Sequence, residues 1–285
     1  MTSRRLRLAV CLALVLAVLA PRPARAEGSS AWEAWTSILA DFFLGPQVKE
    51  EFRWKGSVTP GGTVEVKGVN GPIRAEAASG NEVEIVALKR GRRSSPHDVQ
   101  VEVVPHDGGL TVCAVYPGST LGAPNECQPG SGGRMNVRNN DVSVDFTLRL
   151  PAGVGLVART VNGEVNAVGL AGRVEAHTVN GSIRLATGGA GQAETVNGSI
   201  DASLGHTDWP DAASFRTVNG SITLALPREA STTVEARTVN GQIAVDFEVS
   251  GAHATRRELS GTIGNGGRRL ALATVNGGIR VRRGP

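Results

Sequence analysis

The tetrapeptide Thr-Val-Asn-Gly occurs six times in this chain, starting at Thr160, Thr178, Thr195, Thr217, Thr238 and Thr274. A cousin, Gly68-Val69-Asn70-Gly71, precedes them, and Glu258-Leu259-Ser260-Gly261 reads as a degenerate copy between the last two. Self-similarity at a period of roughly 20 residues marks stacked supersecondary units, each too small to bury an apolar face alone. Composition agrees with thin β-layers: 4% aromatic residues and 37 glycines in 285 positions suit no helical bundle.

The residues around each tetrapeptide state how the unit turns. Val174, Ala176 and Thr178 share one parity before the turn, and Ile183 and Leu185 share the opposite parity after it. The same switch recurs at Val234, Ala236 and Thr238 against Ile243, Val245 and Phe247. Two geometries satisfy this: a β-hairpin with Asn-Gly in its tight turn, giving an antiparallel array or sandwich, or a β-arch whose arms face each other across a core. A hairpin has no use for an invariant Thr-Val before the turn, whereas a solenoid stacks every residue on its own equivalent about 4.8 Å away. The expected fold is therefore all-β, a parallel β-solenoid of roughly 20-residue coils. Its turns would carry an asparagine ladder of Asn162, Asn180, Asn197, Asn219, Asn240 and Asn276. Gly163, Gly181, Gly198, Gly220, Gly241 and Gly277 would supply positive φ at the bend.

The rest divides into four stretches. Residues 1–26 read as a signal peptide, with Arg4, Arg5 and Arg7 before an apolar run and Ala24-Arg25-Ala26 before the expected cleavage point. Residues 27–47 hold Trp32, Trp35, Ile38, Leu39, Phe42 and Phe43 at helical spacing, a short amphipathic helix expected to cap the stack. Residues 48–150 read as an N-terminal β region with a long loop, and residues 151–285 as the repeat solenoid. Cys113 and Cys127 are expected to pair, closing a loop that pins this segment to the β body.

The blocks VSVDFTLRLPAGVGLVARTVNGEV, VEAHTVNGSI, ASFRTVNGSITLALP and ELSGTIGNGGRRLALATVNGGIRVRR resemble a bacterial envelope family of β-strand-repeat proteins named "putative adhesin", a domain of unknown function related to head-GIN adhesin domains. The resemblance covers roughly residues 50–285 and implies an exported β-solenoid without known catalysis.

Function is written more softly. The leader holds Arg4, Arg5, Arg7, Arg22 and Arg25 but no acid, so the remainder of a chain with 30 Lys and Arg against 26 Asp and Glu is close to neutral. A nucleic-acid partner is not expected of it. Asp201, Asp208, Asp211 and Asp246 fall in different coils, the histidines are scattered, and no metal or cofactor motif appears, so no catalytic, metal or cofactor residue is assigned. The one candidate interaction feature is the position before each Thr, held by Arg159, His177, Arg216 and Arg237 and interrupted by Glu194. Beside it run the valines of the tetrapeptides. An apolar ridge flanked by cations suits an anionic envelope glycan, lipid head group or protein. Glu175 and Glu235, two residues before His177 and Arg237, allow instead an ordinary ladder of mixed charge. The expectation is an exported, non-catalytic protein of the periplasm, cell surface or medium, an adhesin-like binder or scaffold with no second hydrophobic segment; the alternatives are a structural, envelope-stress-associated protein without a ligand and, ranked after it, a polysaccharide-active enzyme.

Overall fold

The computed structural model describes residues 47–118, 123–209 and 212–284. The signal peptide and the expected capping helix fall almost entirely outside the described residues. Six strands precede the Cys127 loop: β1 (Val48–Gly56), β2 (Thr63–Lys67), β3 (Ile73–Ala77), β4 (Val83–Gly91), β5 (Gln100–His106) and β6 (Gly109–Val115). Nine follow: β7 (Ser143–Leu150), β8 (Gly155–Arg159), β9 (Val165–Leu170), β10 (Val174–His177), β11 (Ile183–Thr187), β12 (Gly191–Asn197), β13 (Ile200–Leu204), β14 (Ala213–Asn219) and β15 (Ile222–Leu226). The last six are β16 (Thr232–Asn240), β17 (Ile243–Val245), β18 (Val249–Ala254), β19 (Glu258–Ile263), β20 (Arg269–Asn276) and β21 (Ile279–Arg283).

These strands form two large sheets, one of 10 strands ordered β1-β4-β7-β3-β9-β11-β13-β15-β21-β17 and one of 11 ordered β18-β19-β16-β20-β14-β12-β10-β8-β2-β6-β5. Each repeat sends the strand before its tetrapeptide into the second sheet and the strand after it into the first. The tetrapeptide is thus the corner of an arch, and its two arms belong to different sheets. Neighbouring arches run parallel and in register, Thr195 on Thr217 and Asn197 on Asn219, Thr238 on Thr274 and Asn240 on Asn276. The antiparallel pairings lie toward the ends, in β1-β4-β7, β5-β6 and β16-β19-β18. Gly68-Val69-Asn70-Gly71 is a true corner, joining β2 to β3, and β2 stacks on β8, so one pair of sheets runs through both residues 48–150 and the repeats.

The parity switch places one apolar set inside from each sheet. Val174 and Ala176 are fully enclosed, and Ile183 and Leu185 meet them from the other sheet, each 1% exposed. Val165, Ile183, Ile200, Ile222 and Ile279 form one continuous inner row along the parallel ladder. Each such side chain contributes about 1.5–3 kcal/mol when fully buried, but only because a neighbouring coil covers it. The outer edges are guarded: β1 exposes Lys49, Glu51, Arg53 and Lys55, β5 contains Pro105, and β17 is three residues long.

One feature departs from chain order. The last arch, β20–β21, is inserted between β14–β15 and β16–β17, and Glu258-Leu259-Ser260-Gly261 is no coil but the antiparallel strand β19 on the far side of β16. Charge favours this order. Stacked in chain order, Arg216 and Arg237 would face each other one strand spacing apart, and like charges directly opposite destabilise a sheet. In the observed order Ala273 separates them. The charged and cation–π contacts of the inserted arch reach the coil it displaces: Arg269 pairs with Glu235 at 2.5 Å, Arg280 with Asp246 at 3.4 Å, and the Arg283 guanidinium lies 5.5 Å from the Phe247 ring centre. Ala273→Glu, which would place a carboxylate between two arginines, is expected to raise stability by a few tenths to about 1 kcal/mol in denaturant melts, and Ala273→Arg to lower it by a similar amount.

Candidate functional site

The corner is built from four side-chain requirements. Each threonine is buried, 1–6% exposed, and its hydroxyl donates to the corner glycine carbonyl of the adjacent coil: Thr178 to Gly163 at 2.8 Å, Thr195 to Gly181 at 2.9 Å, Thr217 to Gly198 at 2.8 Å, Thr274 to Gly220 at 2.8 Å and Thr238 to Gly277 at 2.8 Å. The asparagines form the expected ladder, Nδ2 to Oδ1, from Asn162 on Asn70 at 2.9 Å through Asn180, Asn197, Asn219 and Asn276 to Asn240 on Asn276 at 2.8 Å. Ser182 and Ser199 add a shorter ladder, each hydroxyl accepting the N–H of the next coil's serine at 3.2 Å.

The glycines are required for a different reason from the expected one. Gly163, Gly181, Gly198, Gly220, Gly241 and Gly277 are absent from the positive-φ positions, which at these corners include only Gly71, with φ 123°. Close stacking excludes a side chain. A Cβ at Gly198 would lie 2.0 Å from the carbonyl oxygen of Gly181, and one at Gly181 would lie 2.0 Å from that of Gly163. Backbone on both sides cannot yield without opening the stack.

The valines point outward. Val161, Val179, Val196, Val218, Val275 and Val239 are 38–54% exposed and lie one above another along the corner, a row roughly 25 Å long at about 4.8 Å per strand. Beside it, register places Lys67, Arg159, His177, Glu194, Arg216, Ala273, Arg237 and Glu258 in one column. Three of the four candidate cations are engaged. Arg159 pairs with Glu65 at 3.3 Å and Glu175 at 3.0 Å, His177 contacts Glu175 at 2.7 Å and Glu194 at 3.7 Å, and Arg237 pairs with Glu258 at 2.8 Å. Arg216 has no ion-pair partner among the described residues, and its column neighbours are Glu194 and Ala273.

The column begins at a clamp that sequence reasoning found only in part. Cys113 and Cys127 are joined, with Cα atoms 5.7 Å apart. Next to Cys113 in register, Lys67 donates from Nζ to the carbonyls of Gln128, Gly130 and Gly132 at 2.5, 2.7 and 3.1 Å, while Glu65 accepts from the Gly130 N–H at 2.8 Å and the Thr111 hydroxyl at 3.1 Å. No local pattern in the sequence announces that a lysine on β2 caps three carbonyls some sixty residues away.

Among the described residues no three His, Cys, Asp or Glu side chains gather as a metal site. Asp246 holds Arg280, Asp208 contacts His206, and Asp211 lies outside the described residues. The carboxylate driven well below its usual range, Asp141 at about 2, fastens a turn: the Ser94 N–H, followed by those of Arg93 and Arg92, holds its charged form. An open groove of about 370 Å³ lies beside Val239, between Arg237, Arg257 and Glu258.

Fold and corner together define a two-sheet stack of arches, β-solenoid-like and sealed along one corner by hydrogen-bonded Thr, Asn and Gly. The sequence model of the Toastrack DUF4097 family matches residues 136–282, more than half of the chain, and the chain belongs to that family. No curated protein matches the sequence. Solved structures with similarity include a "putative cell adhesion protein" from Clostridium sporogenes, 10% identical, covering 82% of this chain and 100% of its own, with a TM-score of 0.44. A "putative adhesin" from Bacteroides fragilis is 10% identical over 81% of this chain and 97% of its own, with a TM-score of 0.34. A "putative lipid binding protein" from Parabacteroides distasonis is 11% identical over 85% and 98%, with a TM-score of 0.22.

The corner chemistry gives a direct stability test. Gly198→Ala pushes a methyl group into the Gly181 carbonyl and is expected to cost more than about 2 kcal/mol in denaturant melts, whereas the same change at Gly80, where a Cβ meets nothing within 4 Å, is expected to be nearly neutral.

Proposed function

We propose that the protein is an exported, non-catalytic, adhesin-like binder of the cell envelope, and that the outer corner of the stack recognises a linear anionic glycan. The observation that carries this reading is the exposed valine row, which holds six of the seven exposed large hydrophobic side chains among the described residues, with a charged column beside it. A straight, periodic ridge matches a linear polymer better than a compact ligand. Valine methyls offer contact to the C–H faces of sugars, the exposed asparagine amides offer hydrogen bonds, and Arg216 is the cation best placed to meet a carboxylate or sulfate, because its charge is not taken up by a neighbouring acid. The resemblance of the repeat blocks to proteins named putative adhesins supports the adhesin-like character; the periplasm, the cell surface and the medium are all compatible addresses for it.

A second reading, a structural envelope protein without a ligand, draws on the engagement of Arg159, His177 and Arg237 by Glu65, Glu175, Glu194 and Glu258. The two are separated by binding of the protein to acidic and neutral polysaccharides. Replacing Val179, Val196 and Val218 together by Thr keeps shape and β-propensity, so melts should hardly move. Binding should weaken roughly tenfold or more, as the loss of about 0.5–1 kcal/mol of apolar contact at each position implies. Arg216→Gln should weaken binding to the acidic polymer and flatten its salt dependence, since screening shortens from about 10 Å at 0.1 M to about 3 Å at 1 M. Equal binding by wild type and both variants would reject the corner as the recognition surface, and no binding to any acidic polysaccharide would leave the ligand-free structural reading.

A further inference from the structure

Eight Asn-Gly pairs occur in the described residues, seven at corners and one, Asn265-Gly266, in the turn before β20. This dipeptide is chemically exposed, because glycine has no side chain to shield its nitrogen from the preceding side-chain amide. Six of the corners restrain that nitrogen. The N–H of Gly71 donates to the Asn162 carbonyl at 2.9 Å, those of Gly163, Gly181, Gly198 and Gly220 donate to Asn180, Asn197, Asn219 and Asn276 at 3.0 Å each, and that of Gly277 donates to Asn240 at 3.1 Å. In the turn, the Gly266 N–H donates to Ile263 at 3.1 Å.

Gly241 differs. Its corner is the last of the arches: the turn before β19 borders it, where the Arg257 carbonyl accepts from the Thr238 N–H at 2.9 Å and that of Arg256 from the Ile243 N–H at 3.2 Å, but among the described residues the Gly241 N–H itself has no acceptor. The side chain before it is equally unprotected. Every other ladder asparagine, from Asn70 to Asn276, accepts a bond on Oδ1 from its neighbour, while Asn240 donates to Asn276 at 2.8 Å and receives none. Val239, beside it, is the most exposed valine of the row at 54%.

We propose that Asn240 is a site of spontaneous modification by deamidation, with water as the other reactant. The Gly241 nitrogen, giving up its proton, attacks Cγ of Asn240; the new C–N bond closes a succinimide ring while the Cγ–Nδ2 bond breaks and Nδ2 leaves as ammonia. Water then adds to one of the two ring carbonyls and opens it, leaving aspartate or isoaspartate at position 240. Both products lose the donor that holds Asn276 and place a negative charge on the last rung. The isoaspartate also lengthens the backbone at the corner between β16 and β17. The same reaction at Asn197 must first release the Gly198 N–H from Asn219 and disturb two ladder bonds. The stack therefore ages from its last arch.

The test is peptide mapping by mass spectrometry of the folded protein aged in mildly alkaline buffer at physiological temperature, beside the same protein aged in denaturant. In denaturant all eight sites should convert at comparable rates. In the folded protein conversion should concentrate at Asn240, about tenfold or more ahead of any other pair, the factor set by the hydrogen bond that the others must break. Faster conversion at Asn265, comparable rates at the interior corners, or no conversion at Asn240 on a timescale that consumes the denatured control would each overturn the proposal.

Discussion

At each inner corner the carbonyl of one glycine accepts the hydroxyl of the next coil's threonine, and the N–H of the same glycine donates to the asparagine carbonyl of that same coil. This exchange joins coils that are individually too thin to fold. Backbone polar groups turning between two sheets are the ones a solenoid has most trouble satisfying, and an unpaired buried group costs about 1–3 kcal/mol. Using glycine lets the coils approach until these bonds form, and using threonine fills the remaining acceptor. Asparagine then needs only to match its neighbours. The tetrapeptide is conserved within the chain because each copy is the binding partner of the next.

That self-matching has a cost in specificity, since identical corners can stack in any order. Thr217 is as compatible with Thr238 as with Thr274. The side chains just before the corner break the degeneracy: Arg216 and Arg237 repel, Ala273 tolerates both, and Glu235, Asp246 and Phe247 hold the arginines of the inserted arch. The same column thus serves assembly as well as offering a surface, which is why most of its cations are already engaged.

Much of this architecture was legible in the residues themselves. Period, parity switch and the identity of Thr178 to Thr274 fixed the arches, the inward rows and the ladder, because each depends on spacing alone. The disulfide followed from two cysteines in an expected oxidising setting. Three things were hidden. The inserted arch depends on a charge comparison between positions 216, 237 and 273 that only the strand order reveals. The role of the glycines was misread as backbone handedness, since a close approach between coils leaves no local trace in sequence. Lys67 and Glu65 act on carbonyl and N–H groups of a loop far along the chain, which no motif encodes. For the candidate surface, the sequence showed the valine row and its charged neighbour but not that Glu65 and Glu258 would reach into the column.

Native-state hydrogen exchange of the corner glycines tests the central role of these bonds most directly. If corner and strands form one cooperative unit, the N–H groups of Gly163, Gly181, Gly198 and Gly220 should exchange only with the slowest strand amides, through global unfolding, while that of Gly241 exchanges rapidly. Corner amides that exchange by local opening, far ahead of the strands they join, would contradict the account.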